Sequence, residues 1–197
     1  MSIIDDIKRR YITGNIVEKL ILINIGVFIL TVLAGLFYKP NTGELNFIVE
    51  WFSLDDTING LLTKPWSIIS YGFLHAGFIH ILFNCIALYF IGNLFIQYFT
   101  QKQLLNFFLL GTFFGGVLYI FSQSFFPLFE GENSYLVGAS AGISAIFVGI
   151  ATYIPNYELK FPLIGYIKLW HITAFWITLD IIGLVGANAG GSFSHIG

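Results

Sequence analysis

Five polar side chains lie near the starts of apolar segments, and their types are those that nucleophilic catalysis uses. They are a serine, three histidines and an asparagine: Ser140, His75, His80, His195 and Asn84. A serine hydroxyl becomes a nucleophile when an imidazole takes its proton, so a serine and a histidine on different helices can form such a pair. His80 and Asn84 are one helical turn apart and share a face, whereas His75 is about 140° away and should lie above or beside the site.

Each of these residues also has a structural explanation. Gly138 and Gly142 form a small-xxx-small pair around Ser140, which by itself indicates close packing of membrane helices rather than catalysis. A single histidine can equally serve as a hydrogen-bonded link between helices. The set as a whole favours a functional site, because polar side chains inside a membrane are costly and usually face the bundle interior.

Other chemistries fit the sequence less well. Zinc-dependent intramembrane proteolysis would use an H-E-x-x-H helix, which the sequence lacks. An aspartyl dyad needs two carboxylates in the membrane, and only Asp180 lies within an apolar segment, where we interpret it as a structural acceptor. An ion or solute pathway remains an alternative, although such pathways tend to use several buried charges. The single cysteine, Cys85, excludes an internal disulfide and a cysteine-based metal cluster, and we expect neither a metal nor a cofactor.

The composition identifies the class of protein. Hydrophobic residues make up 56% of the chain and charged residues only 10%, against roughly 25% charged in ordinary soluble domains. The mean hydropathy is +0.81. The chain is therefore predicted to be an integral membrane protein with the lipid bilayer as its surroundings, and its net charge of -2 gives no reason to expect a nucleic-acid partner.

The apolar segments predict an all-α, polytopic membrane bundle of six transmembrane helices. They lie at about 16–38, 78–98, 104–121, 137–153 and 169–185, with a sixth starting near residue 190. Residues 1–15 are expected to form a cytosolic segment, and 16–197 a single membrane domain. A span of under ten residues is too short to cross a bilayer, so we expect the sixth helix, and hence the domain, to be truncated at the C-terminus. The connection at 44–65 mixes aromatic with acidic residues, as loops in the membrane interface do.

The basic residues predict the orientation. With the N-terminus in the cytosol, most lysines and arginines fall on the cytosolic side, as the positive-inside rule requires. Those residues are Lys8, Arg9, Arg10, Lys19, Lys102, Lys160 and Lys168, while Lys39 and Lys64 fall outside. In this topology the second, fourth and sixth spans all run inward, so Ser140 and the histidines lie at similar shallow depth below the external face.

At this point three motifs resemble those of the rhomboid family of intramembrane serine proteases. The run H-A-G-F-I-H-I-L-F-N at 75–84 is similar to the family's H-x-x-x-x-H-x-x-x-N signature, G-A-S-A-G at 138–142 resembles its G-x-S motif, and S-H-I-G at 194–197 resembles the start of its sixth helix. The P-W pair at 65–66 and the interfacial loop also match. The sequence departs from the family pattern at Ala141, often glycine, at Gln97, commonly glutamate, and at Ser192, often a second histidine.

The resemblance implies a site and an activity. Ser140 would be the nucleophile and His195 the general base of a dyad that has no aspartate partner. The backbone N–H of Ser140 and the side chains of His80 and Asn84 would hold the oxyanion, Gly138 would leave room for the substrate backbone, and His75 would support the site.

The substrates implied are transmembrane segments of membrane proteins with small residues near the cut and a helix that unwinds easily. The expected location is a bacterial inner membrane. The alternative is a catalytically inactive rhomboid-like protein that binds or escorts membrane clients, although such relatives typically lack the serine or the histidine.

Overall fold

The computed structural model describes residues 3–37, 46–125, 134–161, 165–183 and 189–197. The predicted helix ends at Tyr38 and Val185 lie outside these ranges. The described residues form an all-α helical bundle with two small β pairs, which confirms the predicted fold class. The helices are α1 (Ile3–Thr13), α2 (Ile16–Leu36), α3 (Phe47–Phe52), α4 (Ile58–Thr63), α5 (Ser67–Ser70), α6 (Phe78–Phe95), α7 (Gln101–Phe125), α8 (Ser140–Tyr153), α9 (Leu169–Gly183) and α10 (Ala189–Ile196), with a 3₁₀ turn at Tyr71–Phe73.

Three of these helices, α2, α6 and α7, are long and apolar enough to cross a membrane by length and composition. The helices α8 and α9 are apolar but shorter. The outward faces of these apolar helices are typical of lipid contact, because large side chains such as Leu30 of α2, Phe83 of α6 and Phe175 of α9 are more than half exposed. An apolar surface of this extent would be very unfavourable in water.

The fourth predicted span begins later than its apolar run. We expected a helix from about Val137, and α8 instead begins at Ser140. Gly138 has a φ of +138°, which is incompatible with a right-handed helix, so the helix cannot start before it. The shift places Ser140 in the first turn of α8.

Two short antiparallel pairs lie outside the helices. Strand β1 (Leu54–Asp55) pairs with β2 (Tyr135–Leu136), with Leu54 opposite Leu136. Strands β3 (Glu158–Phe161) and β4 (Gly165–Lys168) form a hairpin between α8 and α9. The first pair joins the loop before α6 to the segment that leads into α8, a connection that the sequence did not predict.

The helix α8 lies at the centre of the bundle, in contact with α6, α7, α9 and α10. Its buried face carries Ile146 and Ile150, both fully buried, which pack with residues of the surrounding helices in the main hydrophobic core. Helices α7 and α8 approach closely at Gly142, where a side chain would not fit: a Cβ there would lie 2.7 Å from the carbonyl oxygen of Phe108. Gly142, the second glycine of the small-xxx-small pair around Ser140, therefore serves helix packing.

Candidate active site

Ser140 is the first residue of α8, at an N-terminus that no side chain caps. The residue before it, Ala139, is the N-cap and has no side-chain oxygen to satisfy the first N–H groups of the helix. These groups have no partner within the helix, and the helix dipole places partial positive charge there. A negative charge that develops on an atom next to Ser140 would be stabilised by both.

The loop that leads to Ser140 is held in place from two sides. The backbone N–H of Gly138 donates a hydrogen bond of 3.0 Å to the carbonyl of Tyr71, and that of Ser134 donates one of 2.7 Å to the Asp56 carboxylate. The Tyr119 hydroxyl lies 2.8 Å from the Ser134 hydroxyl. Together with the β1–β2 pairing, these bonds fix the position of the loop relative to α7 and to the segment before α6.

His80 faces Ser140 across Gly138. A Cβ built on Gly138 would lie 3.0 Å from His80 Nε2 and 3.4 Å from Ser140 Oγ, so both atoms surround one point beside this glycine. The absence of a side chain on Gly138 leaves the space between them open. Asn84 lies one turn further along α6 and is buried, and its Nδ2 donates a hydrogen bond of 3.1 Å to the His80 carbonyl. His80 and Asn84 thus lie on one face, as their spacing predicts.

We predicted His75 to lie about 140° from His80 around one helix. His75 is not part of that helix, because α6 begins only at Phe78. Its ring instead packs edge-on against His80, with ring centroids 5.1 Å apart, so it lies beside the site. The side chain is buried, and neither ring nitrogen makes a hydrogen bond of standard geometry to the part of the chain that the structure describes. Burial, together with the neighbouring His80, lowers the pKa of His75 to about 4, so His75 is neutral at physiological pH.

His195 is carried by α10, which packs closely on α7 and α8. A Cβ on Gly115 of α7 would lie 2.8 Å from Ala141 Cβ and 3.0 Å from Ser194 Oγ. The residue after Ser140 and the residue before His195 therefore meet at the same glycine. Tyr71 strengthens this junction, since its hydroxyl donates to the Thr112 carbonyl at 2.7 Å and lies 3.3 Å from Ser194 Oγ.

The His195 ring has a carboxylate neighbour, contrary to the expectation of a dyad without an aspartate partner. Its Nδ1 lies 2.8 Å from Asp180 Oδ1 of α9. This neighbour was not predicted, because the end of α9 and the end of α10 are adjacent in the bundle, which spacing along the chain does not reveal; the dyad itself stays a prediction. The indole ring of Trp176, one turn before Asp180, has its centroid 6.3 Å from that of His195.

The structure gathers the predicted residues at the end of the bundle where α6 and α8 begin. His195 is within electrostatic range of His80, which in turn borders Ser140 and Gly138. No hydrogen bond joins Ser140 to His195 among the described residues. Catalytic hydrogen bonds are often long or poorly aligned before substrate binds.

Two residues at this end of the bundle were missed as parts of the site. Tyr71 precedes the H-x-x-x-x-H run and has no motif of its own in the sequence. Asp180 was noticed only as an isolated acid in an apolar segment, and that isolation was the available signal. Among the described residues, no group of three or more histidine, cysteine or acidic side chains is arranged to hold a metal ion.

The comparisons with known proteins agree with this fold. The model of the Rhomboid domain matches residues 62–197, which is more than half of the chain. No curated protein matches the chain significantly. The bundle defines an integral membrane protein of helical type. The chain belongs to the rhomboid family, whose members are generally serine intramembrane proteases.

Proposed function

We propose that this protein is an intramembrane serine endopeptidase that cleaves transmembrane segments of other membrane proteins. Ser140 is the nucleophile and His195 the general base. The observation that carries the proposal is the grouping at the start of α8, where Ser140 Oγ and His80 Nε2 border the open space beside Gly138. A serine at a helix N-terminus, next to hydrogen-bond donors and near an imidazole, is suited to acyl transfer.

The reaction proceeds by two acyl transfers. Ser140 Oγ forms a bond to the scissile carbonyl carbon while Nε2 of His195 takes the hydroxyl proton. The tetrahedral intermediate then collapses, the C–N bond breaks, and His195 gives the proton to the leaving amine. Water then attacks the acyl carbon of the acyl-enzyme, with His195 again as base. This step releases the new carboxyl group of the product and regenerates free Ser140.

The oxyanion of the intermediate binds at the start of α8. The backbone N–H of Ser140 is one donor, and the side chains of His80 and Asn84 are the others. Asn84 uses one N–H of its amide on the His80 carbonyl, and its second N–H remains for the oxyanion because an amide nitrogen carries two. Loss of one such donor typically lowers the rate by about 10²–10³.

The location of the site limits the substrates. In the N-terminus-inside orientation the site lies shallowly below the external face, and water reaches it from that side. A peptide bond inside a helix is shielded by its own hydrogen bonds, so the preferred substrates have small residues near the cut and a helix that unwinds easily. Because Gly138 has no side chain, an extended substrate backbone can approach Ser140.

The first test replaces the nucleophile. Ser140→Ala should abolish both labelling by a serine-reactive fluorophosphonate and cleavage of a transmembrane substrate, because no other group supplies the attacking oxygen. Ser144→Ala is the matched control. Ser144 lies one turn further along the same helix and is buried, with a hydroxyl that has no hydrogen-bond partner among the described residues, so its loss should leave activity and folding intact.

Cleavage by a folded Ser140→Ala variant would contradict the assignment of the nucleophile. If the wild-type protein is folded in detergent but neither labels nor cleaves, the enzymatic proposal fails. The protein would then be better explained as a rhomboid-family member that binds membrane clients without cutting them.

A further inference from the structure

Asp180 lies within hydrogen-bond distance of the proposed general base. Its Oδ1 lies 2.8 Å from His195 Nδ1, and the two side chains are only 13% and 15% exposed. It is also the one carboxylate within the five helices α6 to α10. A carboxylate in a membrane segment is costly unless a partner or a function offsets that cost.

We propose that Asp180 is a positioning residue for His195, which fixes the orientation and the tautomer of the base in the serine–histidine pair. This inference rests on the proposed function, since it assigns the orientation and tautomer of the same base. Asp180 touches neither substrate nor the reacting atoms and acts only through the imidazole.

The contact determines which ring nitrogen carries the proton. An ionised carboxylate only accepts hydrogen bonds, so the nitrogen facing Asp180 must be the one with the hydrogen. Nδ1 is therefore protonated, and the lone pair of the neutral ring is on Nε2, the nitrogen that has to take the proton of Ser140. When Nε2 takes it, the imidazolium keeps its Nδ1–H bond to Asp180, and the carboxylate stays ionised throughout.

A merely structural link would not need a carboxylate. Some polar side chains of the apolar helices bond to their own backbone, as Thr112 and Thr173 do with the carbonyls four residues earlier. Asp180 instead reaches across to another helix, and α9 adds the Trp176 ring beside the same imidazole. Among the described residues, His80 of α6 is also within electrostatic range of His195, and it offers no negative charge. The arrangement restricts the His195 ring in both rotation and tautomer.

The test compares Asp180→Leu, Asp180→Glu and a control on the same helix, Thr178→Val. Leucine removes the acceptor and is well tolerated in apolar helices, whereas glutamate keeps the carboxylate on a longer stem. Thr178 is exposed and donates to the carbonyl of Ala174 in its own helix, so valine there changes polarity without changing the site. The measurements are the fluorophosphonate labelling rate at Ser140, kcat and KM for a transmembrane substrate, and the ¹⁵N spectrum of the histidine side chains.

We expect Asp180→Leu to lower the labelling rate and kcat by roughly 10²–10⁴-fold, the range of general-base catalysis, with KM and thermal stability unchanged. The ¹⁵N spectrum should show the Nδ1–H tautomer of His195 in the wild type and its loss in Asp180→Leu. Asp180→Glu should recover part of the activity and part of the Nδ1–H tautomer, and Thr178→Val should match the wild type.

Two results would overturn the inference while leaving the proposed function in place. One is an active wild type with a folded Asp180→Leu variant that labels within about twofold of it, well short of the effect of a lost general base. The other is an unchanged His195 tautomer in that variant. A wild type that does not label at all overturns the proposed function itself, and the positioning role fails with it.

Discussion

Gly138 shows how one residue can serve both the fold and the site. Its φ of +138° is a backbone conformation that L side chains rarely adopt, and glycine adopts it without steric cost. The same position borders His80 and Ser140 so closely that a Cβ would lie 2.9 Å from His80 Cε1. Glycine here therefore ends the loop, allows α8 to begin at Ser140 and keeps the space beside the Ser140 hydroxyl open.

Gly138→Ala should consequently damage activity more than stability. The backbone strain costs about 1–3 kcal/mol, and the added methyl group also displaces the His80 ring from the oxyanion position. Labelling and cleavage should fall strongly, with only a moderate decrease in the thermal midpoint in detergent. Gly26→Ala is the control, because nothing lies within 4 Å of a Cβ there. An active Gly138→Ala variant would show that the space beside Gly138 is not used by substrate.

At the scale of elements, the site depends on the packing of α10 against α7. Gly115 permits this approach, since a Cβ on it would lie 2.5 Å from the carbonyl oxygen of Ser194. A hydrogen bond from Tyr71 to the Thr112 carbonyl, and the contact of the same hydroxyl with Ser194, hold α7 and α10 to the segment before α6. His195 follows Ser194 directly, so its position is set by this junction.

We predict that Gly115→Val separates α10 from α7 and moves His195 away from Ser140. Overpacking of a well-packed core costs about 1–3 kcal/mol, so the thermal midpoint should fall and the labelling of Ser140 should be lost. Gly35→Val is the matched control, because a Cβ there makes only ordinary contact, 3.7 Å from Asn46 Nδ2. Full labelling by Gly115→Val would mean that the α7–α10 contact does not position the base.

For the whole molecule, the proposed orientation follows from the distribution of charge. The loop between α2 and α6 carries four of the eleven acidic residues of the chain, while the β3–β4 hairpin carries Lys160 and Lys168. The positive-inside rule then predicts that the hairpin lies in the cytosol and that the loop and the Ser140 end of α8 lie outside. The aromatic side chains of Trp51 and Trp66, stacked with ring centroids 6.1 Å apart and both partly exposed, suit a loop in the membrane interface.

Cysteine accessibility tests this orientation. In a Cys85→Ala background, which removes the chain's single cysteine, Asn59→Cys in α4 and Glu158→Cys in β3 both place a thiol at an exposed position. A membrane-impermeant maleimide added to intact cells should label the first and not the second. After lysis both should label. The reverse pattern in intact cells would invert the topology and place the catalytic end on the cytosolic side.

Much of the fold could be predicted because membrane helices follow from local composition. Apolar segments long enough to span a bilayer predicted α2, α6 and α7, and the motif that contains Ser140 marked the start of α8 to within a few residues. The exact start depended on the backbone of Gly138, a conformation set by the loop contacts of Tyr71 and by the β1–β2 pair. Those contacts join segments far apart in the sequence, so local pattern gave no sign of them.

The sequence by itself determined the class of protein, the order of the helices and the residue types of the candidate site, because hydropathy and motif spacing are properties of short segments. Only the tertiary structure decided that His75 precedes α6 and packs on His80, and that Asp180 meets His195. Both depend on how separate helix ends come together in three dimensions. A contact between α9 and α10 is fixed by the packing of each on the central helix α8, and no spacing within either segment encodes it.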